Sequence, residues 1–157
     1  MAENRERGFT NIDSMGKRII KRTEEREFAF KMLYASEFNQ DPFEVQVNRL
    51  DAVSQKKATA YVKKIVKYYQ ISKKEFDSII GEKLENWDLG RVAIVDKVIL
   101  RLAITEIFYF EEIPPEVSIN EAIEIAKKYS TAESGKFVNG LLDAIYRNYK
   151  QKKKIEK

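Results

Sequence analysis

The sequence predicts an all-α fold, a compact bundle of about seven helices. Three observations carry the prediction. Turn-forming residues are scarce, with three prolines and six glycines in 157 residues. No segment sustains the period-two alternation of a half-buried strand. Apolar residues instead recur at three- and four-residue spacing along most of the chain.

The first helix should begin near Thr23, with Thr23 as N-cap and Glu24 and Glu25 favouring the positive end of the helix dipole. Phe28, Met32 and Leu33 form one apolar stripe; Phe30, Tyr34 and Phe38 form another. A helix apolar on two sides is either central or carries a second binding surface. Asp41-Pro42 is a start signal, an acidic N-cap before proline at the first helical position. The stretch from Phe43 to Tyr69 is too long and too polar in its middle for one helix and is expected to divide near residues 51–54. Ser72 with Glu75 forms a capping box that predicts a short helix to about Glu82. Asp88 should cap the next helix, roughly Leu89 to Phe110. Its apolar residues (Val92, Val95, Val98, Ile99, Leu102 and Ile107 among them) cover most of its circumference, as in the centre of a bundle. Pro114-Pro115 closes that segment. Ser118 with Glu121 repeats the capping-box pattern for a helix to about Tyr129, and a last helix is predicted from Ala132 to Asn148. Residues 1–16 read as a flexible N-terminal extension, residues 17–149 as one helical domain and residues 150–157 as a basic tail.

Composition excludes several function classes. The chain has no cysteine and no histidine. It therefore lacks thiolate chemistry, the commonest general base and the commonest metal ligand. There is no phosphate-binding glycine loop, no dinucleotide fingerprint, no nucleophile elbow and no cluster of metal ligands. Asp96 and Glu106 are ten residues apart on one helix, about 15 Å along its axis, too far for the paired carboxylates of a glycosidase. No catalytic residue, cofactor or metal is expected. The opening "MAENRERGFTNIDSMGKR" contains no leader-like apolar stretch. The run "VILRLAITEIFYF" is interrupted by Arg101 and Glu106, so no membrane span is expected. The expectation is a soluble, cytoplasmic, non-enzymatic protein.

Charge points towards an anionic partner. The formal net charge is +4 and the isoelectric point is about 9.1, near the range that suggests nucleic acid. "KRIIKR" (17–22) carries four cations and no acid, and "RNYKQKKKIEK" carries six cations and one acid. Basic charge thus lies at both ends of the chain.

Two motifs each have two readings. "KRIIKRTEER" places Lys17, Arg18, Lys21, Arg22 and Arg26 together, either as an arginine-rich element that folds against RNA or as a solvated terminus. "SGKFVNG" puts Lys136 and Phe137 in the first turn of a helix. The ring is either a platform for an unpaired base, with phosphate at Lys136 and the helix N-terminus, or an ordinary core residue. Gly135 is the less expected residue there, since glycine costs a helix interior about 1 kcal/mol against alanine. Its value on the first reading is to bare the backbone to an anion. Tyr34 and Tyr129 could stack on bases or sit at the core edge with wet hydroxyls.

From Asn86 onward, "NWDLGRVAIVDKVILRLAITEIFYFEEIPPEVSINEAIEIAKKYSTAESGKFVNGLLDAIY" closely resembles the C-terminal part of the NusB family of transcription antitermination factors. "INEAIEIAKKY" and "SGKFVNGLLD" are specific to that family and its relatives, and "EREFAFKMLY" resembles its first helix. The resemblance covers about residues 18–149. The same fold occurs in some ribosomal RNA methyltransferases, but this chain lacks a methyltransferase half and looks like the stand-alone factor.

The resemblance implies two packed helical sub-bundles. It implies binding of boxA-type single-stranded RNA together with the ribosomal protein NusE, in an RNA polymerase antitermination complex on ribosomal RNA operons. It also implies homodimers, in which the RNA face is masked. By position it assigns RNA contact to Arg18, Arg22 and Arg26, to Tyr34, and to Tyr129, Glu133, Ser134, Lys136 and Phe137, with Lys17 and Lys21 as further cations. It assigns Asp96 to the NusE-facing side. Thr23 and Glu24 stand where arginines are common in the family, Glu133 where aspartate is frequent and Gly135 where histidine is. On the resemblance, stacking becomes the favoured role of Phe137 and RNA contact that of the N-terminal cations. The rival expectation is a helical protein-interaction adapter or ribosome-assembly factor whose basic ends only solubilise it.

Overall fold

The computed structural model describes residues 21–40, 59–84 and 88–156, with the single positions Val45 and Asn48 between them. All regular structure among these residues is helical: α1 (Arg22–Ser36), α2 (Ala60–Lys83), a 3-10 turn (Leu89–Arg91), α3 (Ile94–Tyr109), α4 (Pro115–Tyr129) and α5 (Ala132–Glu156). The all-α class holds, with five α-helices among the described residues rather than about seven. The helix expected from Asp41-Pro42 lies outside the described residues, as do Lys17, Arg18 and the extension 1–16.

Helix α3 is the centre. Every residue from Val98 to Ile107 is buried, which its apolar circumference foretold. The other helices close around it, with α2, α4, α1 and α5 all packed on α3. From α1 the core takes Ala29, Phe30 and Leu33; from α2 it takes Ile65, Tyr69, Phe76 and Ile80; from α5 it takes Val138, Leu142 and Ile145. Each set falls on one side of its helix, so each helix turns one stripe inward.

The differences from expectation concern ends and caps. Helix α2 runs unbroken through Ser72 for 24 residues, about 36 Å at 1.5 Å per residue. Ser72 opens no helix: it is buried in mid-helix, its hydroxyl 2.9 Å from the Tyr109 hydroxyl. Thr59 is the true cap of α2, accepting from the Val62 N–H. Ser118 is likewise internal to α4, which starts three residues earlier with Pro115 in its first turn. Its hydroxyl donates to Glu106 Oε1 at 3.0 Å. In both places a buried polar partner claimed a hydroxyl that the sequence pattern had offered to the backbone. Asp88 accepts from the Gly90 N–H and caps the 3-10 turn. Val92 and Ala93 are then extended, and α3 begins only at Ile94. Thr23 lies inside α1, capped by Lys21 without a side-chain bond, and donates instead to Glu121 Oε1 at 3.0 Å. Helix α5 continues through position 150 to Glu156 without a break at the expected start of the tail.

Two buried ionic clusters lock α1 to the other helices. In the first, Glu106 Oε2 accepts from Arg26 Nε at 2.5 Å and from the Tyr61 hydroxyl at 2.5 Å, and Oε1 accepts from Arg26 Nη2 at 2.9 Å and from Ser118. In the second, Arg101 donates to both oxygens of Asp77 (2.6 and 2.9 Å), to Glu37 Oε1 (2.6 Å) and to the Tyr69 hydroxyl (3.2 Å). Burial disfavours a charged guanidinium, yet the bonded carboxylates outweigh it and both arginines are held above their ordinary range. Burial also pushes the Tyr61 and Tyr69 hydroxyls up, so both stay neutral, Tyr61 donating to Glu106 and Tyr69 accepting from Arg101.

Candidate nucleic-acid interface

The connection between α4 and α5 is only Ser130 and Thr131, so the two helices form an antiparallel hairpin. Thr131 caps α5, its hydroxyl oxygen accepting from the Ser134 N–H at 3.0 Å. This sets Glu133, Ser134, Lys136 and Phe137 in the first two turns of α5, at the same end of the molecule as Tyr129. Lys136 and Glu133 are exposed, their charged ends 3.9 Å apart. Phe137 is half-buried, packed on the edge of the core with part of its ring open.

Helix α1 reaches the same end. Its Phe30 ring lies 5.2 Å from the Tyr129 ring, and the row continues through Tyr34 (6.0 Å from Phe30) to Phe38 (5.2 Å from Tyr34). Lys31 and Lys128 lie over the Tyr129 ring at 5.6 and 5.4 Å. Glu27 organises this junction. It accepts from the Tyr129 hydroxyl and from Lys128 Nζ at 2.7 Å, with Lys31 Nζ 3.7 Å away. Partial burial alone would raise the Glu27 carboxyl. The hydrogen bonds from Lys128 and Tyr129 and the charges of Lys128 and Lys31 overcome that and hold it below its ordinary range. The bond to Glu27 correspondingly holds the Lys128 ammonium above its own.

The expected site residues therefore divide. Tyr34, Tyr129, Glu133, Ser134, Lys136 and Phe137 fall around one end of the bundle, where α1 meets the α4–α5 hairpin. Lys21 and Arg22 sit at the start of α1, Arg22 exposed with its guanidinium 4.3 Å from the Tyr61 ring centre. Arg26 stands apart from these cations: it is 2% exposed, and its guanidinium is engaged with Glu106 inside the protein. Asp96, in the first turn of α3, is 7% exposed. Its Oδ2 accepts from the Ser134 hydroxyl at 3.0 Å, and Ser134 in turn meets the hydroxyls of Ser130 and Thr131. Asp96 Oδ1 meets no partner among the described residues. Ser134 thus ties the residue expected to face a protein partner to the turn expected to face RNA.

Gly135 has a different reason from the one its sequence suggested. It is buried, its N–H bonds to the Thr131 carbonyl at 3.1 Å, and a Cβ there would stand 3.3 Å from Lys127 Cγ and 3.7 Å from Ile123 Cγ2. Glycine lets α5 pack closely on α4, rather than baring backbone to an anion.

Glu27, Lys31 and Lys128 escaped the sequence reading. The i,i+4 spacing of Glu27 and Lys31 marks them as neighbours, but only the contact of α1 with the end of α4 reveals that they surround Tyr129. The assembled surface offers cationic heads (Lys31, Lys128, Lys136) beside partly open rings (Tyr34, Tyr129, Phe137), with Arg22 further back at the start of α1. Ammonium and guanidinium groups suit phosphates, and rings suit unpaired bases. Among the described residues no group of acidic residues could hold a metal ion, and no helix is long and apolar enough to cross a membrane.

Known proteins resemble this chain along most of its length. The family model described as NusB family matches residues 23–147. The transcription antitermination protein NusB of Chloroherpeton thalassium is 42% identical over 142 residues, 88% of this chain and 67% of that protein. The NusB of Pseudothermotoga lettingae is 39% identical over 141 residues, 87% of this chain and 98% of that one. Among solved structures, T. maritima NusB superposes with a TM-score of 0.73 at 39% identity, covering 82% of this chain and 92% of that one. A crystal structure of antitermination factors NusB and NusE in complex with dsRNA gives 0.72 at 30% identity, covering 82% and 97%.

Proposed function

The chain belongs to the NusB family, and on that premise we propose that it is a transcription antitermination factor that binds boxA-type single-stranded RNA together with NusE. Its site of action is the RNA polymerase antitermination complex on ribosomal RNA operons. The observation that carries this reading is the junction of α1 with the α4–α5 hairpin, where three cations (Lys31, Lys128 and Lys136) and three rings from distant parts of the sequence share one end of the molecule. Phosphates lie against Arg22, Lys31, Lys128 and Lys136, joined by Lys17, Arg18 and Lys21. Bases stack on Phe137 and along Tyr129 and Tyr34. Glu133 supplies hydrogen bonds to base or sugar, and Ser134, its hydroxyl bonded to Asp96, holds the turn that presents them. Arg26 serves from within, holding α1 in place through Glu106.

NusE occupies the side of α3 that carries Asp96, where the buried Asp96 carboxylate holds the Ser134 turn in place from within. The solved complex of NusB and NusE with dsRNA supports NusE and an RNA as partners for this chain. A homodimer that covers the same end is the resting alternative.

Fluorescence anisotropy with a boxA-type RNA, with and without NusE, tests the reading. Expected are RNA binding that weakens steeply with salt and tightens when NusE is added. Binding absent in both conditions, with NusE still bound, would leave a protein adapter instead.

A further inference from the structure

We propose that the RNA path does not end at the Lys136–Phe137 turn but follows the exposed face of α5 to the basic end of that helix. This rests on the RNA-binding reading above. Helix α5 has a sharply divided circumference. Val138, Leu141, Leu142 and Ile145 are buried and define its inner side. Lys136, Asn139, Gly140, Asp143, Arg147 and Lys150 recur at three- and four-residue spacing and so share the outer side. All are exposed except Asp143, which is half-exposed. The Lys136 side chain is 80% and the Arg147 side chain 75% accessible. At Gly140 an added Cβ would meet nothing within 4 Å, so the stripe is open along its length.

The charge on this stripe is cationic at both ends. Asp143, its one acid, is bonded to Arg147 one turn on. Lys136 has only a loose pairing with Glu133, between two side chains that are mostly in water, and such pairs hold little. From position 136 to position 150 the axis advances about 21 Å. The helix keeps its register to Glu156, and the sequence supplies Lys152, Lys153 and Lys154 there. A rod with a cation beside the stacking turn, an uncharged smooth middle and a lysine-rich end fits a flexible polyanion laid along it. Recognition would be chiefly of phosphates, met by the cations at the two ends of the stripe, with the Tyr146 ring bordering it beside Lys150.

The test uses the full chain and the variant K150E/K153E/K154E, with circular dichroism confirming an intact fold. The probes are a labelled boxA-type core RNA and the same core carrying ten uridines at its 5′ or its 3′ end. One flank, and not the other, should tighten binding by about tenfold at low salt. It should steepen the salt dependence by about two units of slope, since each phosphate neutralised on a single strand adds about 0.7. The variant should bind extended and core RNA alike. Core binding with no gain from either flank, or a gain that the variant retains, would overturn the proposal while leaving the core site intact. A variant that keeps the flank's gain but loses NusE would assign the stripe to protein instead. Failure of the core RNA to bind would remove the function itself and this path with it.

Discussion

Arg26→Ala separates a structural arginine from a phosphate-binding one. The Arg26 and Glu106 side chains are 3% and 1% exposed and share two hydrogen bonds of 2.5 and 2.9 Å. Removing the cation strands a carboxylate in the interior, which costs about 3–5 kcal/mol. For a chain of this length 1 kcal/mol moves the melting temperature by about 2–4 °C, so the variant should melt about 6–20 °C lower. Urea denaturation followed by circular dichroism gives the same loss as a lower midpoint. The paired exchange R26M/E106Q should recover most of it, because no charge is then left alone; the amide oxygen accepts from one of the Tyr61 and Ser118 hydroxyls and the amide nitrogen donates to the other. At a temperature where R26A remains folded, the salt slope of its RNA binding should match the parent's. An unchanged urea midpoint, or a slope reduced by the 0.7 or so that one lost phosphate contact gives, would refute the buried-pair account.

Three further outcomes follow from the same geometry. Phe137→Ala should weaken single-stranded RNA binding by about 1–3 kcal/mol if the open part of the ring carries a base; anisotropy on protein verified as folded decides it. Gly135→Ala should change stability by less than about 1 kcal/mol, the helical gain of alanine set against the push on Lys127, and should leave RNA affinity alone; a selective loss of affinity would restore the idea that the glycine opens the backbone to RNA. Glu27 contributes stability through a carboxyl held below its ordinary range. That contribution is complete above about pH 5, beyond the ordinary glutamate pKa of about 4.3, and is lost as pH falls through the lowered value. The difference in urea midpoint between the parent and Glu27→Gln should therefore be constant near neutrality and close in acid; a difference that grew towards low pH would contradict the sign.

What could be read beforehand depended on whether a residue's role was local. The central position of α3 was legible because its apolar residues leave no polar side to expose. The break between α4 and α5 was legible too, with one helix expected to about Tyr129 and the next from Ala132. The caps failed at Ser72, Ser118 and Thr23 for one shared reason: each hydroxyl had a better partner across the fold, in Tyr109, Glu106 and Glu121. Nothing in local sequence ranks those partners. Arg26 looked like its neighbours Lys21 and Arg22 because a run of cations does not say which faces inward; its spacing from Ala29, Phe30 and Leu33 on the buried side was the available clue. The junction at Tyr129 needed residues about a hundred positions apart, as in the bond of Lys128 with Glu27, and only the packing of α1 against the end of α4 brings them together.

The central claim is that α1 and the α4–α5 hairpin form one surface for unpaired RNA. Ultraviolet crosslinking of the full chain to a boxA-type RNA, with the modified peptides identified by mass, reads this directly. The account predicts adducts at Tyr34, at Lys128–Tyr129 and at Lys136–Phe137 from the same RNA. Adducts confined to the exposed side of α2, around Ile71 and Lys74, with none on the hairpin, would contradict it.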